Sequence, residues 1–224
     1  EEINRVFISK IATYHFAPTS LNVANLLSEK IVRKNIFCVG NTGIDSLHYV
    51  QDRIEQGSLD VDDVLKSRVY DCLKQNKKIV LLTAHRRESF DGELLKVFRV
   101  IKRFVERYND VFVFYPMHPN PFVVSAVKNS GIENSSNIFI TNAISYKNLV
   151  FLLSKSDWVV TDSGGVQEEV VNMGKMAIVL RDFTEREEGI WEGLTTLVGT
   201  NEDLIFKEME RLRLKNLRHK KTNN

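Results

Sequence analysis

SKSDWVVTDSGGVQEEVVNMGKMAIVL, residues 154–180, runs from an apolar stretch into Asp162, Ser163 and two glycines, then through a helical pattern into a second apolar stretch. Strands as apolar on both faces as WVV and AIV belong to a parallel sheet covered by helices on two sides. The same alternation extends outward in both directions. Strand patterns fall at 36–39 (IFCV), 78–84 (KIVLLTA), 111–116 (VFVFYP), 137–141 (NIFIT), 157–162 (DWVVTD) and 176–180 (MAIVL). Helical patterns lie at 19–30, 43–56, 62–75, 91–108, 121–130, 145–155, 164–173 and 186–193. ELLKVFRVIKRFVERY sets Leu94, Leu95, Phe98, Ile101, Phe104 and Val105 on one stripe, as a helix laid on a sheet requires. The expected fold is therefore α/β, a doubly wound parallel sheet. Residues 35–205 read as one such domain. Residues 1–34, with a strand, a turn and a capped helix in YHFAPTSLNVANLLSEK, read as a hinge segment, and residues 206–224 as a basic helical end with a frayed tail.

Composition narrows the class. The 224 residues are 43% hydrophobic and 27% charged, enough to bury the core of one large domain or two small ones. Lys and Arg number 31 against 29 Asp and Glu, and the excess sits in KEMERLRLKNLRHKKTNN, a solvated-end pattern rather than a nucleic-acid stripe. Cys38 and Cys72 are the only cysteines, and no His, Cys or carboxylate group has metal-ligand spacing, so neither a metal nor another cofactor is expected. No run of about 18 uncharged apolar residues and no cleavable leader is present, so no membrane association is expected, and a cytoplasmic protein is the simplest reading. The chain opens on EEINRVF without an initiator Met, which reads as a fragment or a processed chain.

In open α/β sheets ligands bind at the carboxyl ends of the strands. Polar, small-residue clusters fall there: GNTG (40–43), HRRES (85–89), MHPNP (117–121) and DSGG (162–165), four strand ends expected on one rim. Ser163, Gly164 and Gly165 lie where strand becomes helix, so free backbone N–H groups and the positive end of the helix dipole converge on them. Glycine lets an anion approach the backbone, which makes the turn a seat for phosphate. Glu169 follows about 6–8 Å along the helix axis, at ~1.5 Å per residue, where the ribose of a nucleoside diphosphate would lie. The same residues also fit a plain tight turn followed by first-turn acids. His85 with two adjacent arginines suits an anion-handling site, although a lone His at such a place is more often a capping or surface residue. His118 sits in a stiff loop between Pro116 and Pro119, and LRDFTEREEG (180–189) brings Arg181, Asp182, Thr184, Glu185 and Arg186 to the same rim. His15, His48 and His219 have no comparable context, and neither GxSxG nor GxxxxGK occurs.

VGNTGIDSL, LLTAHRRESF, YPMHPNP, TDSGGVQEEV, LRDFTEREEG and LVGTN, in that order and spacing, closely resemble the non-hydrolysing UDP-N-acetylglucosamine 2-epimerases from residue 1 to about residue 205. The resemblance implies the C-terminal, Rossmann-like half of a two-domain GT-B architecture. It implies interconversion of UDP-GlcNAc and UDP-ManNAc, by elimination of UDP and its re-addition after C2 is protonated from the other face. Carried over residue by residue, Ser163, Gly164 and Gly165 match the diphosphate-binding turn and Glu169 the acid that holds the ribose. Arg186 matches a diphosphate-contacting arginine, and His85 a histidine implicated in catalysis. Arg86 and His118 fall in motifs that line a second, regulatory UDP-GlcNAc site in bacterial members. Met176, Glu187 and Phe183 depart from the family pattern. The family's first Rossmann domain, which carries the acid/base carboxylates, has no counterpart here. The chain is therefore expected to bind the UDP moiety and to be inactive alone unless a separate N-terminal domain chain completes it, the full-length family commonly forming homodimers. A GT-B glycosyltransferase half and a non-catalytic UDP-sugar sensor or subunit module remain alternatives.

Overall fold

The computed structural model describes residues 2–85 and 92–215, in two compact units, residues 1–48 and 49–224. The sequence places a division nearer residue 35. In the first unit α1 (Glu2–Ile11) precedes β1 (His15–Ala17), α2 (Ser20–Ser28) and β2 (Ile36–Cys38). The Thr19 hydroxyl caps α2 by accepting from the Asn22 N–H at 3.3 Å. β1 and β2 pair in parallel, with Phe16 stacked on Phe37 at 5.7 Å between ring centres. This corrects the expectation for IFCV. Ile36–Cys38 forms a separate two-stranded sheet, so GNTG does not follow a strand of the main one. An apolar run announces a strand but carries no information about its partner.

Helix α3 (Thr42–Glu55) leads into the second unit, which holds α4 (Asp63–Lys74), β3 (Lys78–Thr83), α5 (Glu93–Arg107), β4 (Val111–Pro116) and α6 (Pro121–Ser130). There follow β5 (Ile138–Thr141), α7 (Tyr146–Lys155), β6 (Trp158–Thr161), α8 (Gly164–Asn172), β7 (Met176–Val179), α9 (Glu188–Trp191), β8 (Thr195–Leu197) and α10 (Glu202–Leu214). All six strands are parallel in the order β5-β4-β3-β6-β7-β8. Counted from β3, this is the 3-2-1-4-5-6 order of doubly wound nucleotide-binding sheets, whose switch point falls between the first and fourth strands. Here that point is the gap between the carboxyl ends of β3 and β6.

Period-two alternation divides the interior into two cores. Val80, Leu82, Val113, Tyr115, Trp158, Val160 and Ile178 face α5, α6 and α10. Ile79, Leu81, Phe112, Phe114, Val159 and Val179 face α4, α7 and α8. The α5 stripe packs as its spacing requires, with Leu94, Phe98, Ile101, Phe104 and Val105 buried and Leu95 at the margin. α10 differs from a solvated end. Ile205, Met209 and Leu212 are fully buried in the first core, so the basic residues occupy the outer face of a packed helix as far as Leu214. Residues 216–224 lie outside the described residues.

β8 carries no strand signal in the sequence; its three residues, TTL, pair with β7 at the sheet edge. Gly189 explains how closely this edge is built. A Cβ on it would lie 2.7 Å from Val171 Cγ2 and closer still to Thr195 Oγ1. Gly189→Ala is therefore expected to lower stability by about 1–3 kcal/mol through overpacking. Urea unfolding should show a lower midpoint at unchanged m-value.

Candidate functional site

The carboxyl ends of β3, β4, β6 and β7 share one edge, and the residues that leave them form the candidate site. At the switch point β3 and β6 are in register, Thr83 opposite Thr161, and their hydroxyls are 2.6 Å apart. The ladder continues one step past both strands, because the Asp162 N–H donates to the Thr83 carbonyl at 3.1 Å. Asp162, 1% exposed, then turns its carboxylate across the gap. Oδ2 accepts from the His85 main-chain N–H at 2.6 Å, and Oδ1 lies 3.3 Å from His85 Nδ1. The other face of this corner is held by Arg181, whose Nε donates to the Asp162 carbonyl at 2.8 Å. Behind it the buried Tyr115 hydroxyl donates to the Ala84 carbonyl at 3.0 Å. Burial raises the Tyr115 pKa well above the usual phenol range, so the group remains a donor.

His118, on the loop after β4, stacks on His85 with ring centres 5.4 Å apart and planes within 11°. The two histidines that the sequence put in separate motifs thus form one pair. Arg86 lies outside the described residues.

The second half of the site is the start of α8. The Ser163 N–H is taken by Thr161 Oγ1 at 3.0 Å, and the first intrahelical bond runs from the Gln167 N–H to the Ser163 carbonyl. Gly164, Gly165 and Val166 therefore present the N–H groups that precede the helical ladder. Arg186 lies over this turn. A Cβ on Gly164 would come within 2.8 Å of the Arg186 Cζ, so glycine is what allows the guanidinium to approach. Its Nε donates to Glu168 at 2.9 Å and Nη1 to Glu185 at 2.8 Å. The loop that delivers Arg186 is anchored by a buried contact, Thr184 Oγ1 to Gln167 Oε1 at 2.8 Å.

One turn further along α8, Glu169 Oε1 accepts from the Tyr146 hydroxyl at 2.9 Å. Its Oε2 is buried and has no hydrogen-bond partner among the described residues. Burial raises the Glu169 pKa above the usual carboxylate range; the Tyr146 hydrogen bond opposes this, and the Glu168 charge adds to it. A half-satisfied carboxylate is costly to keep unless a ligand supplies donors. The structure thus gathers Ser163, Gly164, Gly165, Glu169 and Arg186 around one helix start, and joins His85 and His118 to it through Asp162. Sequence reasoning missed two participants. Asp162 stood in the quoted motif without a role of its own, and Tyr146 lies 23 residues before its partner with no local signal. Among the described residues no group of three or more His, Cys, Asp or Glu could hold a metal ion, and no helix is long and apolar enough to cross a membrane.

A family model described as UDP-N-acetylglucosamine 2-epimerase matches residues 1–224. The chain belongs to that family. The UDP-N-acetylglucosamine 2-epimerase of Campylobacter jejuni is 38% identical over 95% of this chain and 55% of its own length. The S. aureus MnaA–UDP co-structure is 33% identical, with a TM-score of 0.83 over 96% of this chain and 54% of that one. The Neisseria meningitidis UDP-GlcNAc 2-epimerase, solved with UDP-GlcNAc bound, is 32% identical, with the same TM-score over 94% and 56%. The chain spans about half the length of the curated relatives it matches. Its doubly wound, six-stranded parallel sheet is the fold expected from the sequence, and family membership sets aside the glycosyltransferase reading.

Proposed function

We propose that residues 49–215 hold the UDP moiety of a UDP-N-acetylhexosamine for 2-epimerisation between UDP-GlcNAc and UDP-ManNAc. The observation that carries this reading is the start of α8, where open N–H groups and the Arg186 guanidinium lie about one helical turn from the half-satisfied Glu169 carboxylate. In this reading the diphosphate rests on Gly164 and Gly165 and draws Arg186 from Glu168 and Glu185. The ribose hydroxyls donate to Glu169 Oε2, and His85 stands by the distal phosphate, where the sugar is attached. Relatives about twice as long suggest that the proton transfer at C2 needs residues beyond this sequence, on the same or another chain.

Calorimetric titration of UDP into residues 1–224 is expected to give a Kd of roughly 10 µM to 1 mM, about −4 to −7 kcal/mol. Folded protein that does not bind UDP would overturn the reading. Proton NMR of UDP-GlcNAc with the same chain should show no UDP-ManNAc, and turnover would refute the need for further residues. Glu169→Gln should weaken UDP about 10-fold or more, because hydrogen bonds to a charged acceptor are worth about 1.5–3 kcal/mol. The same substitution should hardly change the affinity for 2′,3′-dideoxy-UDP. Equal weakening for both ligands would place Glu169 away from the ribose.

A further inference from the structure

We infer that Asp162 is a positioning residue for His85, holding its imidazole as the Nδ1–H tautomer and leaving Nε2 as the nitrogen that meets the diphosphate end of the ligand. This rests on the reading of the site as a UDP-sugar site, but its structural half does not depend on it. An ionised carboxylate can only accept, so a ring nitrogen held against it carries the proton. Asp162 meets His85 twice, through a hydrogen bond from the main-chain N–H (2.6 Å) and through a charge contact beside Nδ1 (3.3 Å) in which Oδ1 does not complete a hydrogen bond, so one buried carboxylate lies against both backbone and ring.

The carboxylate itself is not free to follow a moving ring. Its own N–H is bonded to Thr83, its carbonyl receives Arg181, and its side chain is 2% exposed. The His85 side chain, by contrast, is 39% exposed, with one face covered by His118. Nε2 has no hydrogen-bond partner among the described residues. A buried acid behind an imidazole, with the far nitrogen open, is the arrangement that fixes tautomer and orientation for acid/base or charge-stabilising work. It lies at the switch point of the sheet, where a doubly wound fold receives its ligand.

The test uses residues 1–224 labelled with ¹⁵N-histidine, with His85→Gln assigning the resonance. Above the imidazole titration, the wild-type His85 signal should show Nδ1 protonated and Nε2 bare. In Asp162→Asn the amide NH₂ can face Nδ1, and the two positions should exchange, with the other four histidines unchanged. A wild-type ring protonated at Nε2 overturns the inference, and this arm needs no variant to fold. A folded Asp162→Asn protein with an unaltered tautomer overturns it equally. Adding UDP should shift Nε2 of His85; UDP that binds without moving it refutes the role given to that nitrogen. The predicted tautomers with no UDP binding at all would uphold Asp162 as the positioning group and overturn the proposed ligand instead.

Discussion

Arg186→Ala is expected to lower the affinity of residues 1–224 for UDP by about 10- to 150-fold, with little change in thermal stability. Charge-assisted hydrogen bonds are worth about 1.5–3 kcal/mol, and each 1.4 kcal/mol is a factor of ten. The stability effect is small because the Arg186 side chain is 36% exposed and its ion pairs with Glu168 and Glu185 are surface pairs, which contribute about 0–1 kcal/mol. The affinity effect is large for two reasons. The guanidinium lies over the open turn of α8, and its removal would take away the cation that stands between that turn and the carboxylates of Glu168 and Glu185. Arg186→Lys should recover only part of the loss, since an ammonium cannot make the paired, planar contact. Titration calorimetry at two salt concentrations measures both variants. An unchanged Kd for Arg186→Ala would remove Arg186 from the diphosphate site.

Phe104→Ala should have the largest effect on stability, about 3–5 kcal/mol, a substantial share of the 5–15 kcal/mol that holds a typical domain. Phe104 is fully buried on α5, with ring centres 4.9 Å from Tyr108 and 5.2 Å from Phe206 of the last helix. Truncation opens a cavity where α10 docks, and a packed core cannot close it fully. Urea unfolding followed by circular dichroism reports the change. A loss under about 1 kcal/mol would mean that α10 does not pack on α5 as described.

Much of the sheet was legible because strands buried on both faces are written as unbroken apolar runs, and KIVLLTA, VFVFYP and DWVVT could hardly be anything else. What such runs omit is pairing. IFCV reads like the others, yet joins His15–Ala17 in a different sheet. TTL at the edge has too little apolar content to register, although it extends the sheet by one strand. In the last helix the basic residues, which lie on its outer face, dominate the sequence and mask Ile205, Met209 and Leu212 at helical spacing beneath them. In the candidate site, the phosphate turn was legible because glycine and helix start are local features. The contacts Asp162–His85 and Tyr146–Glu169 span 77 and 23 residues and depend on strand order, which no single motif contains.

The threonine pair at the switch point has a mechanical meaning. From that gap α5 packs on one face of the sheet and α8 on the other, and the ends of β3 and β6 are stitched across it by the Thr83–Thr161 hydroxyls and by Asp162. The seam joins the two central, buried strands of the sheet, and amide exchange along it should be governed by global rather than local unfolding. A ligand lying across it would act as a further stitch, adding its binding free energy to the folded state at the line where the two halves of the sheet meet.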